Sequence, residues 1–309
     1  MRMMTKKKLR IAITYMAYPL CMARYFHEAL LRRDDTEVWC AAPYSGRSIP
    51  WMGGMELPEK YLRQPDLPLP ATPPRLSYMI VQNQCPWQPD LWLEINSTFQ
   101  AMGRPTNAPL AIVGADPHVL DYSDARRRAD VFFNMQSPYL QPGDEWLPYA
   151  YDPVWHSPTP IRFSQRTYDA TLIGLQYDNR RTLFSKLRGL GYNCFTDTGP
   201  CYEDARAIYH QSKVGVNWSS LLDTTARVFE VMAFGITPVF NRVPDLMAMF
   251  KDGRDFEGFD NEAEALAKII SLLNDPIRAE ELGRNARIAV EPHTWDARIQ
   301  QIFEKMQIV

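Results

Sequence analysis

Residues 208–240, IYHQSKVGVNWSSLLDTTARVFEVMAFGITPVF, decide the fold class. Residues 213–218 alternate apolar and polar side chains, which predicts a half-buried strand. Asp223, Thr224 and Thr225 then offer side-chain oxygens suited to capping a helix start. Arg227 and Glu230 stand one turn apart and share a helix face. Val228, Val231, Met232 and Phe234 supply a buried face, Gly235 a stop, and residues 236–240 the next strand. A strand–loop–helix unit of this kind leaves backbone N–H groups free at the helix N-terminus, where a phosphate is held without any lysine.

The same alternation recurs along the chain. Residues 9–15 read as a strand, 24–33 as a helix and 37–41 as a strand, a β–α–β opening of doubly wound type. Ala17, Tyr18 and Pro19 follow the first strand where a dinucleotide fingerprint would place GxGxxG, which argues against a dehydrogenase. Residues 45–74, rich in proline, glycine and methionine, read as a surface excursion. Residues 76–82, 91–96, 110–114 and 130–135 read as strands, with a short basic helix at 124–128. Between residues 139 and 159 the pattern breaks. Pro142, Pro148, Pro153 and Pro158 hold this segment extended and mark a domain boundary. Residues 168–174, YDATLIG, open a second domain with a strand ending in glycine.

Composition fits a two-domain enzyme. The chain has 309 residues, 46% of them apolar, enough for two sizeable cores. A formal net charge of −2 gives no general attraction to nucleic acid or acidic membranes. Local basic clusters at Lys6–Lys8, Arg32–Arg33 and Arg126–Arg128 read as solvated faces. Cys21, Cys40, Cys85, Cys194 and Cys201 show no CxxC spacing, so reduced thiols in a cytoplasmic protein and no zinc site are expected. No run of about 18 apolar residues predicts a membrane span.

These residues carry a resemblance. Ser212, Val214, Val216, Asn217, Arg227, Phe229, Glu230, Ala233, Gly235, Pro238 and Val239 meet the pattern of GT-B glycosyltransferases. The closest likeness is to the C-terminal half of the CgeB-like, glycosyltransferase family 1/4 group. Pro244–Asp245–Leu246, Asn274–Asp275–Pro276 and His293–Thr294–Trp295 with Arg298 continue it. About the final 140 residues resemble the family well, the N-terminal half only in outline. The interdomain phrase of the family resembles Leu147, Pro148, Asp152, His156 and Pro158.

The resemblance implies an α/β GT-B fold, two Rossmann-like doubly wound domains facing across a cleft. The expected divisions are an acceptor domain at 1–145, a nucleotide-sugar domain at 146–292, and a C-terminal helix at 293–309 packing back on the first domain. It implies a donor site of Gly174, Arg180, Asn217, Asp223, Thr224, Thr225 and Glu230, with Arg181 as the second choice of arginine. Arginine suits a diphosphate because its planar fork donates two hydrogen bonds at once. Glu230 would accept hydrogen bonds from the ribose hydroxyls; the alternative is an Arg227–Glu230 intrahelical ion pair. A second family glutamate, eight residues earlier, is here Leu222, with Asp223 as a substitute beside it. Arg227 would join Arg180 on the departing diphosphate. Asp116 and His118, directly after the strand LAIVG, would act toward the transferred sugar or as a base toward the acceptor; the alternative is a turn cap and a packed ring. Trp51, Trp87, Trp92, Trp155, Tyr149 and Tyr151 fall near loops expected to line the cleft, where flat rings pack on sugars or merely on each other.

The implied activity is transfer of a sugar from a nucleoside-diphosphate sugar, UDP-sugar by default, to a hydroxyl acceptor. It would need neither metal nor cofactor, and retention of configuration is expected. Two alternatives stand beside it. One keeps the chemistry on a hydroxymethylated base in DNA, with Lys6–Lys8 and Arg126–Arg128 as a DNA-facing stripe. The other is a non-enzymatic nucleotide-binding or assembly protein, supported by the missing second glutamate.

Overall fold

The computed structural model describes residues 7–18, 20–49, 55–96, 99–219 and 221–308; Lys6, Pro19 and Trp51 lie outside them. The chain forms two compact units, Met1–Pro148 with Trp295–Val309, and Tyr149–Thr294.

Unit 1 is built on seven strands: β1 (Leu9–Tyr15), β2 (Thr36–Tyr44), β3 (Leu67–Pro70), β4 (Leu91–Asn96), β5 (Leu110–Gly114), β6 (Val131–Asn134) and β7 (Glu145–Trp146). All pair in parallel, in the order β7-β6-β5-β4-β1-β2-β3. A parallel sheet is covered on both faces, so its central strands read as continuous apolar runs. Ile11, Ala12, Ile13, Leu91, Trp92, Leu93, Ile112 and Val113 are all fully buried. Ala12, Trp39, Trp92 and Tyr78 belong to one core cluster, where the Trp92 ring meets Trp39 and Tyr78 edge-on. Helix α1 (Ala23–Arg32) packs on β1 and β2.

The excursion at 45–74 is not wholly irregular, because LPLP at 67–70 joins the sheet beside Ala41–Tyr44. Proline cannot donate to a ladder, and an edge strand tolerates that on its open side. Residues 76–82 are also not one strand. Arg75–Ser77 pairs with Gln100–Met102, and the chain then turns helical at α2 (Tyr78–Val81). Tyr78 and Val81 point into the core while Met79 and Ile80 are exposed, a helical spacing that the four-residue apolar run 78–81 conceals.

Helix α3 (Ser123–Arg128) is held by ion pairs. Arg126 forks onto Asp144 at 2.8 Å through both Nε and Nη2. Arg128 forks onto the fully buried Glu94 at 2.9 and 2.8 Å, and Tyr78 donates to the same carboxylate at 2.7 Å. Burying Glu94 costs little because its oxygens are satisfied this way.

Unit 2 contains β8 (Tyr168–Ile173), α4 (Asp178–Gly189), β9 (Cys194–Asp197), α5 (Tyr202–His210), β10 (Ser212–Asn217), α6 (Ala226–Ala233), β11 (Thr237–Asn241), α7 (Pro244–Met249), β12 (Glu257–Phe259), α8 (Glu262–Asn274) and α9 (Pro276–Val290). The strands run parallel in the order β9-β8-β10-β11-β12. Gly235 at φ 66° ends α6, a left-handed conformation that glycine adopts without a side-chain penalty. The Tyr151 amide donates to the His293 carbonyl at 3.1 Å, tying the start of unit 2 to its end.

The last helix, α10 (Trp295–Lys305), belongs to unit 1. Trp295 is fully buried against Phe26 of α1, with ring centroids 4.8 Å apart. Arg32 forks onto Asp296, and Arg298 donates to the Pro148 carbonyl at 2.7 Å. Trp295→Ala is expected to destabilise unit 1 by about 3–5 kcal/mol. Hydrogen exchange checks this: amides of β1, β2 and α1 should lose protection while those of β8 and β10 keep theirs.

Candidate functional site

In open parallel sheets ligands sit beyond the carboxyl ends of the strands, where the strand order reverses. In unit 2 that point falls between β8 and β10, because β9 lies on one side of β8 and β10 on the other. The site residues gather at these two strand ends.

β8 ends at Ile173, and Gly174 turns the chain at φ 143°. A Cβ at 174 would collide with the Arg227 guanidinium, so glycine is required on steric as well as conformational grounds. Arg227, in the first turn of α6, crosses to both strands. Its Nε donates to the Ile173 carbonyl and its Nη1 to Asn217 Oδ1 at 2.8 Å. Asn217, the last residue of β10, also accepts from Thr225 Oγ1 at 3.1 Å and donates to Ser219 Oγ at 3.2 Å. A primary amide both accepts and donates, which is why Asn217 can bind the start and the end of the β10–α6 loop and the first turn of α6 at once.

Thr225 holds the N-cap position of α6 but makes no side-chain cap, because its hydroxyl is spent on Asn217. This corrects the expectation of a capped start. Asp223 is buried and accepts from the Leu221 amide at 3.0 Å, bracing the loop; Thr224 is buried beside it. The Thr225 side chain therefore does not close the first turn of α6, an arrangement that leaves helix N–H groups to meet an anion.

Arg180, in the first turn of α4, is 3% exposed. Its Nε donates to the Trp218 carbonyl and its Nη1 to the Leu175 carbonyl, both at 2.7 Å, with the Tyr177 ring beneath. Burial, then the nearby Arg227 charge, push its pKa down to about 10, so it stays charged at neutral pH. Among the described residues no carboxylate comes within ion-pair distance of Arg180 or Arg227. Arg181 takes no part: it is exposed, pairs with Asp178 and donates to the Gln176 carbonyl at 2.6 Å.

Glu230 lies one turn beyond Arg227. The two form no ion pair, since Arg227 reaches across to the strand ends instead. Burial raises the Glu230 pKa to about 7 against the opposing pull of Arg227. His156 Nε2 lies 3.7 Å from Glu230 Oε1, and burial lowers the His156 pKa to about 3, so this contact joins a neutral imidazole to the carboxyl. Tyr209, on the buried face of α5, accepts from the Ile173 amide at 3.4 Å and stacks on Phe234 at 5.1 Å. The sequence does not mark His156 or Tyr209 as site residues. His156 stands in the interdomain phrase and Tyr209 in an ordinary amphipathic helix, and neither spacing signals a site.

Asp116 and His118 lie in unit 1, just past the end of β5. The Asp116 carbonyl accepts from Val119 and Leu120, closing a turn. His118 is half-buried with its Nδ1 enclosed and without a hydrogen-bond partner among the described residues; its ring lies 6.0 Å from Tyr139. Of the aromatic residues, Trp92 is core, Trp155 packs on Tyr202 at 5.0 Å, and Tyr151 accepts from Arg287.

Residues 162–304 match the family model described as "Glycosyl transferase-like". The fold is that of the GT-B glycosyltransferases, and the glycosyl transferase-like match covers residues 162–304 of it. Its fold is similar to that of an alpha-glucosyltransferase in complex with UDP-glucose and DNA containing an abasic site, at TM-score 0.65 and 12% identity over 97% of this chain and 100% of the other. Anabaena Alr3699/HepE in complex with UDP-glucose gives the same four values. Sucrose-phosphate synthase from Thermosynechococcus elongatus matches at TM-score 0.60 and 13% identity, over 97% and 98% of the two chains. At these identities the structural likeness is one of fold. No curated protein sequence matches the chain. Among the described residues no helix is long and apolar enough to cross a membrane.

A group whose native pKa is raised above its unfolded value stabilises below the unfolded pKa, and that stability is lost as pH rises through the native one. Glu230 should therefore cost stability on the order of 2 kcal/mol between pH 4.5 and 8. Glu230→Gln is expected to raise the melting temperature at pH 8 and to leave it unchanged at pH 4.5, as read from thermal unfolding across that range.

Proposed function

We propose that the chain transfers a glycosyl group from a UDP-sugar to a hydroxyl acceptor, with the diphosphate held in unit 2 at the ends of β8 and β10. The observation that carries this reading is the pair of arginines, Arg180 and Arg227, fixed side by side with no carboxylate among the described residues in ion-pair distance of either. Two positive charges beside an uncapped helix start form a site for a diphosphate.

As the glycosyl–oxygen bond breaks, negative charge develops on the departing UDP. Arg180, Arg227 and the first-turn amides of α6 stabilise that charge without reorganising. Preorganised stabilisation of this kind usually lowers the barrier more than any other single effect. These groups supply the charge a metal would otherwise supply, so the reaction is read as metal-independent. Gly174 leaves room for the Arg227 guanidinium to lie against the backbone, and Asn217 and Thr225 hold Arg227 in place. Glu230 accepts from the ribose hydroxyls; releasing its proton on binding makes it a stronger acceptor. Asp223 takes the sugar-side position beside Leu222. Asp116 and His118 serve the acceptor side, both following the end of β5. Retention of configuration is kept as the stereochemical expectation, on the family resemblance alone, and the cytoplasm as the place of action.

A modified base in DNA is a weaker acceptor candidate, although three of the similar solved structures are of an alpha-glucosyltransferase with DNA, one of them containing an HMU base. Arg126 and Arg128 are spent on Asp144, Glu94 and Asp124, and so do not form a free basic stripe. The non-enzymatic reading is disfavoured by the glycosyl transferase-like match over residues 162–304.

Calorimetric titration with UDP, GDP and dTDP in the presence of EDTA tests the reading. UDP should bind selectively, and Glu230→Ala should weaken it about tenfold or more with the fold intact. Equal or absent binding of all three would overturn the donor assignment.

A further inference from the structure

Unit 2 holds a second concavity away from the donor residues. A cavity of about 390 Å³ opens between residues 158–159, the turn from α6 to β11, and α9. That volume lies in the range of small-ligand pockets. Its polar wall consists of Arg166, Arg284, Arg287 and Glu280, and its apolar wall includes Phe234 and Ile288.

The cavity is at the opposite edge of the sheet from the site described above. Thr237, which lines it, is the first residue of β11, whereas Asn217 is the last residue of β10. A five-residue strand spans about 17 Å, so one ligand of diphosphate size does not reach both. Helix α6 joins them, with Arg227 near one end and Phe234 just past the other.

Several arginines elsewhere are matched with acids: Arg242 meets Asp252, Asp260 and Glu264, and Arg126 meets Asp144. The three arginines here are not. Arg166 is fixed by the Ile161 and Ser212 carbonyls at 3.0 and 3.3 Å. Arg287 donates to the Tyr151 hydroxyl at 3.0 Å and lies over its ring. Arg284 makes no hydrogen bond or ion pair among the described residues and is exposed at the rim. Glu280 accepts from the Phe163 amide at 3.3 Å and forms no ion pair with any of the three. Three guanidiniums and one carboxylate leave two positive charges uncompensated.

We propose that this cavity is a second binding site, for a phosphomonoester with a compact apolar body. A phosphomonoester carries about two negative charges at neutral pH, matching the excess, and its three acceptor oxygens suit several guanidinium forks at once. Ile288 and Pro158, both exposed at the cavity, receive the apolar part, with the fully buried Phe234 behind them. Phe234 also meets the His156 ring edge-on at 5.4 Å, and His156 lies against Glu230.

Phenyl phosphate is the probe, titrated calorimetrically into the full chain with and without saturating UDP. Saturable one-to-one binding is expected, unaltered by UDP or by Arg180→Ala. It should weaken about tenfold in Arg284→Ala and further in Arg284→Ala/Arg287→Ala, and phenol should bind far less. Arg284 is exposed and makes no bonds, so its replacement leaves the fold untouched. Absence of saturable binding, loss of binding in Arg180→Ala or displacement by UDP, or binding indifferent to Arg284→Ala would each overturn the proposal.

Discussion

The site depends on one side chain, Arg227, which ties the ends of two neighbouring strands by donating to the Ile173 carbonyl and to Asn217. Its neighbours follow from that reach. Position 174 must be glycine because any side chain would occupy the guanidinium's place. Position 217 must accept twice and donate once. Thr225 gives up its capping role to steady the same amide. The cost is electrostatic: Arg180 is buried beside another cation, and Glu230 is pushed toward its neutral form. Strain of this kind collects where a ligand is meant to relieve it.

Topology explains why the chemistry lies at this edge. Unit 2 has the order β9-β8-β10-β11-β12, which reverses at the β8–β10 boundary, and the loops following those two strands diverge and leave a crevice. Unit 1 reverses between β1 and β4, and Asp116 and His118 follow β5, the next strand over. The same layered design therefore offers a ligand edge in each unit, and the side chains on the loops decide what each edge binds.

Much of this is legible in the sequence wherever the signals are local. The 208–240 segment reads correctly because strand alternation, a glycine stop and apolar helical spacing all act within a few residues. Arg180 and Asn217 stand at strand-to-helix junctions, which the same signals locate. What escapes depends on contacts between distant segments. His156 meets Glu230 from a proline-rich segment 74 positions earlier, and Tyr209 reaches the Ile173 amide from a helix that follows the next strand. Residues 67–70 disguise an edge strand behind two prolines, and residues 78–81 turn a strand-like apolar run into helix. Arg180 and Arg181 look like near equals in the sequence; Asp178, three residues before Arg181, draws the second outward. Arg126–Arg128 read as a solvated face, while Glu94 in the core claims Arg128.

The central claim is that Arg180 and Arg227 exist to hold a diphosphate. Its most direct measurement compares UDP and uridine binding in the wild type, Arg180→Ala and Arg227→Ala, each checked for an intact fold. The account predicts that both substitutions weaken UDP by tenfold or more while binding of uridine, which lacks the phosphates, changes little. Equal losses for UDP and uridine would show that the arginines only shape the loops, and would contradict it.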